Sequence, residues 1–309
     1  MTTPLLDETA RGVFVIAPTP FTAEGALDMG SVETMTDGYL AAGASGLTLL
    51  GIMGEAPKLT EAESLTIVSR VLEVVAGRIP VVVGVSAPGF AMMRGLAQGV
   101  MAAGAAGVMF SPAAGLKGDE AVIAYCAQAA AAIGSDVPYV LQDYPQASGV
   151  VMTAAMIARM AEDPRLVMLK AEDWPGLDKI TALRALSASG RMRRISILGG
   201  NGGLFLPTEM ERGADGIMTG YAYPEMLVQV IEMLAAGERE AAYDLFDAHL
   251  PLIRTEHQPG LGLAVRKYIL ARRGLIASPA LRPPGPKLSP EAVAEIEWLI
   301  GRLERRTYQ

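Results

Sequence analysis

Eight short apolar runs recur along this sequence, separated by longer stretches with helical spacing. They are Val13–Ala17, Gly46–Leu50, Val81–Val85, Gly107–Ser111, Pro138–Gln142, Leu166–Lys170, Ile195–Gly199 and Gly216–Gly220. A run such as Leu166–Leu169 does not alternate apolar with polar residues, so it reads as a strand covered on both faces, the condition of a parallel sheet wrapped by helices. Eight strand–helix units predict an α/β fold of the (β/α)8 (TIM) barrel type. The segments "AAGASG", "AAGAAG" and "ERGADG" each precede a strand, and their glycines fit a helix C-cap followed by a tight turn.

Past Tyr221 the strand pattern stops and helical patterning takes over, in "PEMLVQVIEMLAAGEREAAYDLFDAHLPLI", "GLAVRKYILARRG" and "SPEAVAEIEWLIGRL". The sequence therefore divides into a barrel at residues 11–225 and a C-terminal helical region at 226–309 packed on it. The length of 309 residues accommodates both, since such barrels commonly take about 250.

Composition narrows the chemistry. No apolar run approaches the roughly 18 residues of a membrane span, and no basic-then-apolar leader opens the chain, so a soluble, cytoplasmic protein is expected. A net charge of −7 without a Lys/Arg cluster argues against nucleic acid and acidic membranes as partners. Cys126 is the one cysteine; it lies in the apolar run "AVIAYCAQAAAAI" and reads as core. His249 and His257 are the only histidines, too few for a zinc site or a serine–histidine triad at the barrel mouth. No metal is expected, and the chemistry falls to lysine, tyrosine, carboxylates, hydroxyls and backbone amides.

In a barrel of this kind the loops after the strands carry the active site. The strand ends include Gly51-Ile52-Met53-Gly54-Glu55, Gln142-Asp143-Tyr144, Lys170-Ala171-Glu172 and Gly199-Gly200-Asn201. Lys170 is the only lysine among them; Lys58, Lys117, Lys179, Lys267 and Lys287 fall in loops or helical patterns. A lysine placed where core meets loop loses hydration, which favours the neutral amine that attacks carbonyls. The plainer possibility is that it extends its amine to water and buries only its stem.

These strand ends resemble those of the Schiff-base aldolase family that includes dihydrodipicolinate synthase and N-acetylneuraminate lyase. The resemblance runs from Arg11 to about Leu303. It rests on "APTPFTAEGALD" at Ala17–Asp28, on "GIMGEAPKLTEAE" at Gly51–Glu63, and on Lys170 at the position of the imine-forming lysine. It implies a 2-keto acid substrate, a covalent imine on Lys170, no cofactor, and a homotetramer or homodimer. Thr60 and Glu63 form a capping box for the helix after the Gly51–Gly54 turn, whose Ile52 and Met53 amides suit a substrate carboxylate.

Dihydrodipicolinate-forming members usually carry two hydroxyl residues where this chain has Ile52 and Met53, tyrosines at Ala114 and Gln142, and an arginine at Ala147. Their tyrosine–threonine proton relay and their carboxylate-binding arginine therefore have no counterpart here. The stretches "VLQDYPQASG", "HLPLIRTEHQPG" and "RRGLIASPALRPP" look closer to the subgroup that dehydrates 2-keto-3-deoxy sugar acids such as 2-keto-3-deoxy-L-arabonate. Gln142 does not ionise, which leaves Tyr144, Asp143, Glu172 or an ordered water to carry the proton. Strand alternation puts Tyr144 on the side of Gln142 and Glu172 on the side of Lys170. Lys170, Tyr144 and Glu172 are thus the expected catalytic residues, with Ile52, Met53, Gln142, Gly200 and Asn201 binding substrate. The expected activity is dehydration of a 2-keto-3-deoxy sugar acid or aldol chemistry with pyruvate. A dihydrodipicolinate synthase-like condensation and a non-catalytic keto-acid-binding barrel remain as alternatives.

Overall fold

In the computed structural model, residues 4–174 and 176–307 are described. The strands are β1 Gly12–Ile16, β2 Gly46–Leu49, β3 Val81–Gly84, β4 Gly107–Phe110, β5 Tyr139–Asp143, β6 Leu166–Ala171, β7 Ser196–Gly199 and β8 Gly216–Thr219. They close in sequential order, with β8 pairing parallel to β1. The expected eight-stranded barrel is present, with individual boundaries displaced by about one residue, the usual uncertainty at element ends.

The helices are α1 Met29–Ala41, α2 Glu61–Val75, α3 Phe90–Ala102, α4 Asp119–Ile133, α5 Pro145–Ser148, α6 Ala154–Met160, α7 Leu177–Ala188, α8 Leu206–Glu211, α9 Pro224–Ala235, α10 Arg239–Glu256, α11 Gly262–Arg272 and α12 Pro290–Thr307. Gly43, Gly104 and Gly213, the glycines of the recurring segments, have φ of 82°, 106° and 97°, the left-handed geometry that ends a helix. The helical patterning from Pro224 to Ile253 resolves into two helices, because Gly237 at φ 80° turns the chain between α9 and α10. No described helix is long and apolar enough to cross a membrane.

Alternation along the strands divides the core into two layers. Phe14, Ile16, Met109, Met168, Leu198 and Met218 fill the barrel interior, while Val13, Val15, Leu47, Leu49 and Leu169 face the helices. Each such side chain contributes about 1.5–3 kcal/mol on burial. A register shift between β5 and β6 at Tyr139/Val140 sets the phase of the upper half of β6. Met168 is therefore inside and Leu169 outside, and the next inward position, one step nearer the C-terminal mouth, is Lys170.

The C-terminal helices are fastened to the barrel by buried charge. Arg266 on α11 is fully buried and donates to the Ile16 carbonyl, in a space that a Cβ on Gly220 would occupy. Lys267 beside it is also fully buried, its Nζ 2.6 Å from Glu55 Oε1 and 2.9 Å from the Ala280 carbonyl. Glu256 at the end of α10 accepts the Ala222 amide at 3.2 Å. Burial pushes its carboxyl up to about 8 against the pull of Arg266 and that amide. Cys126 is buried in the core, and burial raises its thiol to about 12.

Candidate active site

Lys170 lies opposite Gln142 in the β5–β6 register, and both point inward above the apolar interior. Its side chain is only 4% exposed, so it does not extend to water. Nζ stands 2.7 Å from Glu172 Oε2. The same oxygen accepts Gln142 Nε2 at 2.7 Å, and Glu172 Oε1 accepts the Asn201 amide at 3.3 Å. One amine and one carboxylate are thereby held together by three strand ends, with nearly all water excluded. Such an arrangement can form an imine and move a proton at the atom next to it.

Asp143, between Gln142 and Tyr144, faces the other way, as alternation requires. Its Oδ2 is 2.7 Å from Lys179 on α7, and burial raises its carboxyl to about 6 despite that lysine. It anchors β5 to α7 and does not share the interior with Lys170. Tyr144 is half-buried at the start of α5. Burial, and then the charge of Glu172, raise its phenol above the usual value of 10, so it carries its proton at neutral pH. Ala147, in the same short helix, is exposed.

The Ile52–Gly54 turn is a short 3-10 helix. Its bonds run from Gly54 N to Gly51 O and from Glu55 N to Ile52 O, which leaves the Ile52 and Met53 amides at its open start. Neither Gly51 nor Gly54 has positive φ; the left-handed residues are Leu50 and Glu55, both at φ 55°. Met53 packs on the barrel interior, whereas Ile52 is 60% exposed. The carboxylate of Glu55 fastens the turn from behind, to Lys267, to Lys58 at 2.7 Å and to the Arg282 amide at 3.2 Å. Thr60 and Glu63 form the expected capping box. Arg282 also bonds Glu63 at 2.7 Å, and with the Thr60 amide it holds that carboxyl down to about 2.

After β7, a Cβ on Gly200 would overlap Glu172, so Glu172 takes its position only because residue 200 has no side chain. Asn201 adopts φ 51°; it is 2% exposed, and its Oδ1 has no hydrogen-bond partner among the described residues. Two features at this end were not visible in the sequence. His257, at the end of α10, lies over Gly202 and parallels Trp174 with centroids 6.1 Å apart. Glu209 on α8 is 4% exposed, although an acid in a helical pattern ordinarily marks a solvated face.

A closed parallel barrel with a buried amine–carboxylate pair near its strand ends defines a class of barrel lyase. This chain belongs to the dihydrodipicolinate synthetase family, whose sequence model matches residues 9–302. It is 31% identical over 307 residues to the L-2-keto-3-deoxyarabonate dehydratase of Azospirillum brasilense, covering 95% of this chain and 94% of that protein. It is also 31% identical over 271 residues to 4-hydroxy-tetrahydrodipicolinate synthase 1 of Streptomyces coelicolor, covering 86% and 85% respectively. The crystal structure of a dihydrodipicolinate synthase from Rhodopseudomonas palustris is 53% identical and superposes with a TM-score of 0.95 over 97% of this chain and 99% of that one.

Proposed function

We propose that this protein is a lysine Schiff-base lyase that dehydrates a 2-keto-3-deoxy sugar acid. The observation that carries the reading is the Glu172 carboxylate 2.7 Å from Lys170 Nζ, held by Gln142. Lys170 adds to the C2 carbonyl and water leaves, giving an iminium that draws electrons from C3. Glu172 takes a C3 proton. The enamine expels the C4 hydroxyl, Tyr144 supplies a proton so that it departs as water, and hydrolysis of the imine frees Lys170 for the next cycle. The Ile52 and Met53 amides receive the substrate carboxylate, and Gln142 and Asn201 bond its hydroxyls.

The neutral lining also supports this substrate class. With Ala147 exposed on α5 and Lys179 engaged by Asp143 and Asp173, no cation among the described residues of that loop awaits a second carboxylate. Losing a charge-assisted contact of that kind costs a few kcal/mol, or roughly a hundredfold in affinity. A dihydrodipicolinate synthase-like condensation is the second reading, favoured by the 53% identity to the Rhodopseudomonas palustris enzyme.

Borohydride reduction in the presence of pyruvate is expected to add mass to the peptide containing Lys170, and Lys170→Ala to abolish the adduct. Turnover of a 2-keto-3-deoxy sugar acid is expected to exceed that of pyruvate plus aspartate semialdehyde by at least ~100-fold in kcat/KM. Equal or better condensation would establish the second reading. Trapping without turnover of any keto acid in a broad panel would make the barrel a binding protein.

A further inference from the structure

The backbone that follows β7 is enclosed between two carboxyl groups. On the barrel side, Glu172 occupies the space that a Cβ on Gly200 would need. On the helix side, the carboxyl of Glu209 occupies the space that a Cβ on Gly199 would need. Consecutive amides then face the two acids: that of Gly200 is directed to Glu209, and that of Asn201 donates to Glu172 Oε1 at 3.3 Å. The turn between them is left-handed, with Asn201 at φ 51° and Gly202 and Gly203 at 68° and 87°.

Glu209 is costly where it stands. It is 4% exposed, its Oε2 has no hydrogen-bond partner among the described residues, and no described cation pairs with it. Burial, with the charge of Glu172 adding, raises its carboxyl to about 8 against the pull of the Gly200 amide, so at neutral pH it is a neutral acid. A buried carboxylic acid used only for packing would be outdone by methionine or leucine, which carry no desolvation cost. What an apolar residue does not supply is an acceptor for the Gly200 amide.

We propose that Glu209 is a positioning residue of the active site: from the outer face of β7 it holds the Gly199–Asn201 turn so that the Asn201 amide is aimed at Glu172. The inference rests on Glu172 being the proton carrier, as in the function proposed above. Glu172 is faced by Lys170 from β6 and Gln142 from β5, and the titratable groups near it are Tyr144 at the start of α5, Glu209 on α8, His257 at the end of α10 and, on the outer side of β5, the Lys179-paired Asp143. Substituting Glu209 changes one of these and leaves the rest in place.

The test uses exchange of the C3 protons of pyruvate for deuterium, followed by NMR across pH, beside borohydride trapping on the same samples. In Glu209→Met, trapping at saturating pyruvate should persist while exchange slows ~10-fold, the scale of loss when a group that orients an active-site residue is removed. The acid limb of the exchange profile should move to higher pH, because a carboxylate that loses an amide donor is harder to ionise. Glu209→Gln, which keeps a carbonyl acceptor, should restore the limb.

The sign separates the alternatives. If Glu209 acted through a negative charge, its removal would move the limb to lower pH; if it only filled space, the limb would not move. Either result overturns the proposal, as does a Gln variant that behaves like Met. Should Glu209→Met fail to fold, Glu209→Asp replaces it. That variant withdraws the carboxyl by one methylene and should show the same upward shift, and an unmoved limb would overturn the idea equally. Undiminished exchange in Glu172→Gln would defeat the underlying reading and this proposal with it. A collapsed Glu172→Gln with an unshifted Glu209→Met would defeat this proposal alone.

Discussion

Replacing Glu172 by glutamine changes one atom and removes one charge, and its cost follows from the contacts. Oε2 accepts from both Lys170 and Gln142 at 2.7 Å, so the amide oxygen of the new residue has to stay there. Its NH2 is then directed at the Asn201 amide, donor against donor, and the 3.3 Å bond at Oε1 is lost. The Gln142 bond falls from charge-assisted, about 1.5–3 kcal/mol, to neutral, about 0.5–1.5, and the Lys170 bond loses its ion-pair attraction though its donor stays charged. The expected destabilisation is about 2–3 kcal/mol, or ~5 °C in Tm for a chain of this size. The effect on proton transfer should be larger, since removing a positioned base costs 10²–10⁴-fold, roughly 3–5 kcal/mol in barrier. Borohydride trapping with pyruvate separates imine formation from proton removal, and should still label Lys170 while C3 exchange collapses by ~100-fold or more. Exchange within about tenfold of wild type in a folded variant would refute the assignment and leave Tyr144 or an ordered water as the base.

Three further outcomes are expected. His249 is buried against the Tyr221 hydroxyl at 2.8 Å, and burial, then Arg273, lowers it to about 4 from 6.5. The unfolded chain therefore binds its proton more readily, and this contribution to stability, complete above pH 6.5, is lost as pH falls toward 4, at about 1.4 kcal/mol per unit. Asp143, Glu209 and Glu256 are raised and act in the opposite sense, so the comparison is with His249→Gln. Wild type should lose more stability than this variant between pH 6.5 and about 5 in urea melts, and equal losses would disprove the assignment. Activity should survive dialysis against a strong chelator because the imine is itself the electron sink; loss restored by one divalent ion would contradict this. Light scattering should find a homotetramer or homodimer, consistent with the exposure of Ile52 in the turn after β2 and of Met92 in the first turn of α3, at 60% and 66%, and a monomer at micromolar concentration would contradict it.

The barrel was legible because strands buried on both faces leave unbroken apolar runs, and parallel strands require helices between them. That Glu172 lies on the side of Lys170 followed from period-two geometry, whereas Asp143, kept among the candidate proton carriers, turns to Lys179 instead. What escaped depended on partners distant in sequence. Glu209 and Lys267 sit in helical patterns where charge ordinarily means solvent, and it is the approach of α8 to the end of β7 and of α11 to Glu55 and Phe21 that buries them. The left-handed residues around the Ile52–Gly54 turn escaped for a different reason: the glycines drew the expectation, while Leu50 and Glu55 take the strained conformation. Gly237 was passed over within a long amphipathic stretch, although one left-handed residue suffices to end a helix.

The fastening of Glu55 also bears on the order in which the molecule is completed. Its buried counter-ion, Lys267, lies 212 residues further along the chain, and the Arg282 amide lies 227 residues further. At about 5–20 residues per second, a ribosome needs roughly 10–40 s to travel from the first to the second. Through that interval the nascent strands can pair one after another, but of the groups that hold Glu55 only Lys58 is present. The turn after the second of eight strands therefore gains its full set of partners only once α11 and the Arg282 segment have been made.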